Sequence, residues 1–184
     1  MMPELSLNIL DVAQNSVTAG ASLIQISILG DTGSDRLTIR IEDNGCGMTE
    51  EQIRNVTDPF FTSRKTRKVG LGIPFFKMAA ELTGGSFHMD SRVGAGTSTT
   101  AVFGLSSIDR MPLGNIADTM SALIGPNPDI DFLLTMEQDS RGFIMDTRAF
   151  REVLGPEIPL SEPQVLNYIE DYIRENTESC GIKI

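Results

Sequence analysis

The stretch Asp43-Asn44-Gly45-Cys46-Gly47-Met48 constrains this chain more than any other. A buried-looking strand, Leu37-Thr38-Ile39-Arg40-Ile41, runs directly into an aspartate, and two glycines one residue apart then turn the chain. A carboxylate fixed at a strand end accepts hydrogen bonds. Asp43 is therefore suited to an exocyclic amine such as that of adenine, while Gly45 and Gly47 let a flat ring approach the main chain. An ordinary acidic turn after a strand would use the same residue types, and the hexapeptide alone does not separate the two readings. The sequence on either side does.

Upstream, Ile9, Leu10, Ala13 and Val17 recur at helical spacing between about Leu5 and Ala19, which predicts an amphipathic helix with that face inward. Its other side carries Asn8, Asp11 and Asn15 at i, i+3 and i+7. Asn and Asp are poor helix formers, and a merely solvated face more often carries Lys, Glu and Gln, so this polar stripe suggests a task. Gly20 ends the helix, Leu23 to Ile28 alternates as a strand, and the Gly30–Asp35 cluster forms a hairpin turn leading to the strand that reaches Asp43.

Downstream, Thr49-Glu50-Glu51-Gln52 has the form of a capping box, with Met48 and Ile53 placed as a hydrophobic staple. After a short helix come Asp58-Pro59-Phe60-Phe61-Thr62-Ser63-Arg64, the basic run Arg64–Lys68, and Val69-Gly70-Leu71-Gly72-Ile73-Pro74. Phe75, Met78, Ala79 and Leu82 then predict a helix that Gly84-Gly85 stops. A glycine-containing loop that delivers the chain into a helix N-terminus is an anion site, because free backbone N–H groups and the positive end of the helix dipole face the same point. Pro74 fits the first turn, and Arg64, Lys65, Arg67 and Lys68 are placed to close over a terminal phosphate. Two further strands, around Phe87–Met89 and from Thr97 to Phe103, flank the turn Arg92–Gly96. Hairpin-linked strands with a few amphipathic helices predict an α+β fold, a two-layer sandwich whose mixed, mostly antiparallel sheet carries helices on one face. A doubly wound parallel sheet is disfavoured.

Composition narrows the functional classes. With 184 residues, 40% of them hydrophobic, the chain can bury a core, and no apolar run approaches the ~20 residues of a membrane span. The expectation is a cytoplasmic protein without a membrane partner. Cys46 and Cys180 make neither a disulfide framework nor a zinc pair; Cys46 is expected to pack in its turn. A formal charge of -10 opposes nucleic-acid binding. His88 falls on the polar side of its strand, a surface role.

Five segments taken together resemble the boxes of the Bergerat-type ATP-binding domain, the GHKL group of gyrase, heat-shock chaperones, histidine kinases and mismatch-repair ATPases. Leu10-Asp11-Val12-Ala13-Gln14-Asn15-Ser16 is similar to the asparagine box of the mismatch-repair branch, and Asp43–Met48 to the first glycine box. Pro59–Arg64 and Gly70–Ile73 resemble the phenylalanine box and second glycine box of histidine kinases, and Gly94–Thr97 the last glycine box. Each box alone is weak; their order and spacing over residues 5–104 are the signal.

The resemblance implies a role for each matching residue. Asn15 would hold Mg²⁺ against the triphosphate of ATP, Asp43 would read adenine with support from Thr97, and Gly45, Gly47 and Met48 would line the ring. Gly70, Leu71, Gly72 and Ile73 would lie on the phosphate side, with Thr62, Arg64 and Lys65 at the lid. Asp11, one turn before Asn15, stands where hydrolysing members place a glutamate that activates water. Aspartate is one methylene shorter, so hydrolysis is less firmly implied than binding. Lys68-Val69 replaces the glycine-threonine usual in histidine kinases, which implies a stiffer, more basic lid. Only a few residues precede the asparagine box. The expectation is therefore that the chain is not a complete self-phosphorylating histidine kinase, and that any phosphoryl acceptor is another protein.

The resemblance stops near residue 104. Residues 105–184 predict a small α+β appendage: a helix through Ile116, Met120 and Leu123, a hairpin turning at Asp139–Gly142, a helix capped by Asp146, and a last helix opened by a Ser161/Gln164 capping box with Leu160 stapled to Val165. No catalytic constellation is evident there; the expectation is that it packs on the first part or binds a partner protein. Two functions follow: a Mg²⁺-ATP-dependent ATPase or protein kinase that signals to a partner, or a nucleotide-sensing regulatory module without turnover, in the manner of an anti-sigma factor or adaptor. A homo-oligomer is left open.

Overall fold

The computed structural model describes residues 4–57 and 72–184. The chain builds α1 (Leu5–Thr18), β1 (Leu23–Asp31), β2 (Arg36–Asp43), α2 (Glu50–Thr57), α3 (Gly72–Leu82), β3 (Ser86–Arg92), β4 (Gly96–Gly104), α4 (Ile116–Ile124), β5 (Asp131–Gln138), β6 (Arg141–Asp146), α5 (Thr147–Leu154) and α6 (Pro163–Ser179). The six strands of the described residues form one sheet in the order β3-β4-β2-β1-β5-β6. Every neighbouring pair is antiparallel except β1 and β5, which run parallel over Leu23–Gly30 and Asp131–Gln138.

Period-two alternation decides which face is covered. Ile24, Ile26 and Ile28 of β1, Leu37, Ile39 and Ile41 of β2, Ala101 and Phe103 of β4, and Phe132, Leu134 and Met136 of β5 are all buried, and cross-strand register places them on one face. The alternate residues are polar or half-exposed, so the helices lie on a single side, giving two layers and one continuous core.

Residues 105–184 continue that sheet and that helical layer. β5 and β6 lengthen the sheet beyond β1, α4 packs on α1, and α6 packs on α4 and β6. The first-turn N–H groups of Leu5 and Ser6, which a helix leaves without internal partners, donate to the carbonyls of Pro112 and Leu113 at 3.0 and 2.8 Å.

Several local expectations are met in detail. Thr49 and Gln52 form both halves of the capping box: Thr49 N–H donates to Gln52 Oε1 at 2.8 Å, and Gln52 N–H to Thr49 Oγ1 at 3.3 Å. Asp146 caps α5 by accepting from Arg148 N–H. His88 is exposed and pairs with Asp90 at 2.7 Å. Others need correction. The inward stripe of α3 is Ile73, Phe76, Ala79 and Ala80, with Met78 and Leu82 exposed, because Phe76 fits between Phe87 and Phe103 at ring distances of 6.4 and 5.7 Å and thereby sets the helix rotation. α6 starts one residue later than the Ser161 cap implies. Pro163 occupies its first turn, Glu162 stands at the N-cap, and no side chain caps it. The Cys46 side chain is exposed; its backbone, donating to Ala19 O at 2.9 Å and accepting from Gly94 N–H at 2.8 Å, is what the turn engages.

Candidate functional site

Asp43 ends an apolar row. Leu37, Ile39, Ile41 and Asp43 alternate on the helix-covered face of β2, so the carboxylate emerges where the hydrophobic surface stops. Register sets Thr97 of β4 opposite Asp43, and Ser91 of β3 opposite Thr97. Three polar side chains thus form one row at the sheet's end, on the side where α1 lies.

Hydrogen bonds fix this row. Asp43 Oδ1 accepts from Gly45 N–H at 2.9 Å and Oδ2 from Ser16 Oγ at 2.6 Å. A carboxylate has about four acceptor positions, so this anchoring leaves capacity toward a ligand. Thr97 does not bond Asp43; its hydroxyl lies 2.8 Å from Ser91 Oγ, which also donates to Gly96 O at 2.9 Å and accepts from Met48 N–H at 2.8 Å. Thr97 thus stands opposite Asp43 in register but engages Ser91, not the carboxylate. The backbone beside the carboxylate is tightly packed. A Cβ on Gly45 would stand 2.9 Å from Ala19 Cβ, and Gly47, at φ +66°, would press a Cβ to 2.0 Å from Arg92 O.

On α1 the polar stripe divides. Asn8 turns inward at 1% exposure, its Nδ2 donating to Glu4 O at 3.3 Å and its Oδ1 without a partner among the described residues. Asp11 is half-buried and Asn15 exposed. Asp11 lies against the start of α3: a Cβ on Gly72 would stand 2.7 Å from Asp11 Cβ and 3.0 Å from Oδ2. The helix begins at Gly72, so a residue without a side chain allows α1 and the α3 N-terminus to meet at the carboxylate. Ile73, next in the chain, is buried in the core.

The fold thus joins Asp11 to Gly72, Asp43 to Ser16 and Gly45, and Met48 and Thr97 to Ser91, while Gly47 packs on Arg92 and Asn15 is exposed on α1. Thr62, Arg64, Lys65, Gly70 and Leu71 lie outside the described residues. Ser16, Ser91 and Asn44 were not anticipated. Asn44 holds the entry to β1 by accepting from Ser22 N–H and Leu23 N–H at 2.9 and 3.0 Å. Ser16 carried a readable signal, since serine in a helix interior is as disfavoured as the neighbouring asparagine; Ser91 is one of several serines and threonines on its hairpin and has no such mark.

Hard oxygen donors on one helix face, the Asn15 amide and the Asp11 carboxylate at i, i+4, suit a divalent cation that keeps several waters and takes its other ligands from phosphates. Among the described residues no three His, Cys, Asp or Glu side chains gather into a metal cage. No helix of the described residues is long and apolar enough to cross a membrane.

A mixed sheet with helices on one face, a carboxylate at the end of its apolar row, and a glycine-started helix meeting α1 define a Bergerat-type nucleotide-binding domain. The chain belongs to the family of histidine kinase-, DNA gyrase B-, and HSP90-like ATPases, whose model matches residues 2–107. Relatives include a probable C4-dicarboxylate sensor kinase of Bacillus subtilis (strain 168), 39% identical over 80 residues that make up 44% of this chain and 15% of the kinase. Sporulation kinase D of the same organism is 31% identical over 99 residues, 54% of this chain and 19% of that protein. The chain thus spans under a fifth of the length of these relatives. Among solved structures, the Aquifex aeolicus MutL ATPase domain complexed with ADP matches over 100% of this chain and 99% of its own, with a TM-score of 0.53 at 12% identity. The N-terminal domain of a DNA repair protein matches 79% of this chain and 52% of its own, with a TM-score of 0.53 at 13% identity. At these identities the structures speak to the fold.

Proposed function

We propose that the chain binds Mg²⁺-ATP at this site and acts as an ATPase or protein-kinase-type domain that signals to a partner protein. The observation that carries the reading is Asp43, whose carboxylate is held by Ser16 and Gly45 yet keeps acceptor capacity for the adenine amine. Asn15 would hold Mg²⁺ against the triphosphate, and Gly72 would offer the N-terminus of α3 to it. When bound, the cation neutralises charge developing on the phosphate oxygens. Asp11 Oδ2 would accept the proton of an attacking water, directly or through a second water because aspartate is short. Thr62, Arg64, Lys65, Gly70 and Leu71 complete the proposed phosphate side and lid.

One observation favours a second reading, nucleotide sensing without turnover: Asp11 is packed against Gly72, which restricts the reach of a side chain already short for a general base. Phosphate release by the purified protein and by Asp11→Asn separates the two. The hydrolase reading expects ATP-dependent release that falls to background in Asp11→Asn while ATP binding persists. Background release by both proteins, with ATP bound, would sink the hydrolase reading.

A further inference from the structure

One cavity formed by the described residues lies away from the proposed nucleotide site. It is a groove of about 820 Å³ between α5, α6 and the end of β6. Its floor is an aromatic ladder: Phe150 meets Tyr168 and Tyr172 edge-on at ring distances of 6.0 and 5.8 Å, and Tyr172 meets Phe143 at 6.2 Å. Its walls expose large apolar side chains, with Val153 88%, Tyr168 61%, Ile144 59% and Ile158 43% accessible. Single exposed apolar residues are ordinary, but four on one concavity mark an interaction surface.

Charge specifies the occupant. From Ile144 to Tyr172 the sequence holds six carboxylates against two arginines, and the arginines are engaged. Arg148 pairs with Asp146 at 2.8 Å, whose carboxyl this guanidinium holds below its ordinary range, and Arg151 bonds Asp131 at 3.0 Å and the carbonyl of Ile130 at 3.1 Å. Glu157 and Glu162, both exposed on the rim, have no cationic partner among the described residues. A second copy of this chain would set like charges face to face, whereas a segment with an apolar face flanked by Lys or Arg meets apolar floor and acidic rim together. Strand geometry also matters. The two-residue turn makes Gln138 and Arg141 a hydrogen-bonded pair, so by alternation the backbone of Ile144 points out from the sheet edge; its carbonyl already accepts from Tyr172 Oη at 3.1 Å. That bond obstructs the addition of a further strand, while the trough between two helices accommodates a helix.

We infer that this groove is the docking site for a basic amphipathic helix of a partner protein. The inference gives a place and a chemistry to the partner proposed above and rests on that reading, though not on nucleotide binding itself.

The test titrates the full chain against three fluorescently labelled synthetic peptides of equal length. One is a leucine–lysine amphipathic helix, one the same helix with glutamate for lysine, and one a scrambled leucine–lysine sequence lacking an apolar face. Saturable binding of the first, tighter than either control by about tenfold or more, is expected. Val153→Asp, at a side chain too exposed to disturb folding, removes that preference, and Glu157→Lys with Glu162→Lys shifts it toward the glutamate peptide. Equal binding of all three peptides, or an unaltered Val153→Asp, overturns the proposal. So does a wild-type dimer in sedimentation that Val153→Asp dissolves, since the occupant is then a second copy. ATP titration of the same samples keeps the questions apart: peptide selectivity without ATP binding would refute the nucleotide reading and leave the groove standing.

Discussion

Replacing Asp43 by asparagine isolates the contact on which the adenine assignment depends. In the wild type, Oδ1 takes the Gly45 N–H and Oδ2 the Ser16 hydroxyl, at 2.9 and 2.6 Å. Asparagine can keep both neighbours satisfied, its oxygen accepting from Gly45 and its amide donating to a rotated Ser16 hydroxyl, so the fold should lose only about 1 kcal/mol, the difference between a charge-assisted and a neutral bond. The ligand fares differently. An NH₂ now stands where the adenine amine needs an acceptor, which removes a hydrogen bond to a charged group worth about 1.5–3 kcal/mol and corresponds to roughly 10- to 150-fold in affinity. Calorimetric titration with ATP measures the loss, and urea denaturation confirms the fold. GTP supplies an internal control, because guanine presents a carbonyl at that position and should gain relative to ATP in the variant. Unchanged ATP affinity in a folded Asp43→Asn protein would refute the assignment of this carboxylate as the base reader, and with it the reading of Asp43–Met48 as a glycine box.

Gly72→Ala places a methyl 2.7 Å from Asp11 Cβ, an overpacked contact between α1 and α3 expected to cost about 1–3 kcal/mol by chemical denaturation. Asp146→Ala removes the α5 cap and should cost about 1 kcal/mol at neutral pH. Its folded pKa is lowered from the ordinary value of 3.8, mainly by the hydrogen bond from Arg148, so the wild type's advantage is complete above that value and disappears as pH falls below it; urea titrations across acid pH read the convergence. A fragment ending at residue 104 loses β5, which leaves β1 an open nine-residue edge and uncovers α1 where α4 packs; aggregation in size-exclusion chromatography is expected, and a monomeric fragment with native helix content would show the division at 104 to be autonomous.

What the sequence disclosed was governed by short-range physics. Alternation in β1 and β2, the Thr49/Gln52 box and the Asp146 cap involve residues within a few positions of one another, and their hydrogen bonds form as the local pattern implies. Asp43 was legible because a strand delivers it directly to a glycine turn. The rotation of α3 was not, because the pocket that receives Phe76 is made by Phe87 and Phe103 on two later strands. The parallel pairing of β1 with β5 joins Ile24 to Phe132 and Ile28 to Met136, and nothing local to either strand names its partner. Ser16 and Ser91 illustrate the same limit inside the site: a hydroxyl's role is set by what register and helix packing place opposite it.

The two halves of the chain are bound to each other through α1 as well as through the pairing of β1 with β5. One side of that helix carries Asp11 against Gly72, Asn15 at the surface and Ser16 on Asp43. Its first turn donates to Pro112 and Leu113, and its flank packs on α4, which packs in turn on α6, the wall of the apolar groove. Ser16 sits 2.6 Å from a carboxylate with no slack between donor and acceptor, so a displacement of α1 of even half an ångström along its axis changes that bond and the contact at Gly72 together. Residues 105–184 therefore do more than complete the sheet. They hold the helix that carries the proposed base and metal ligand, which makes them the part of the chain through which an event at the groove could reach the nucleotide.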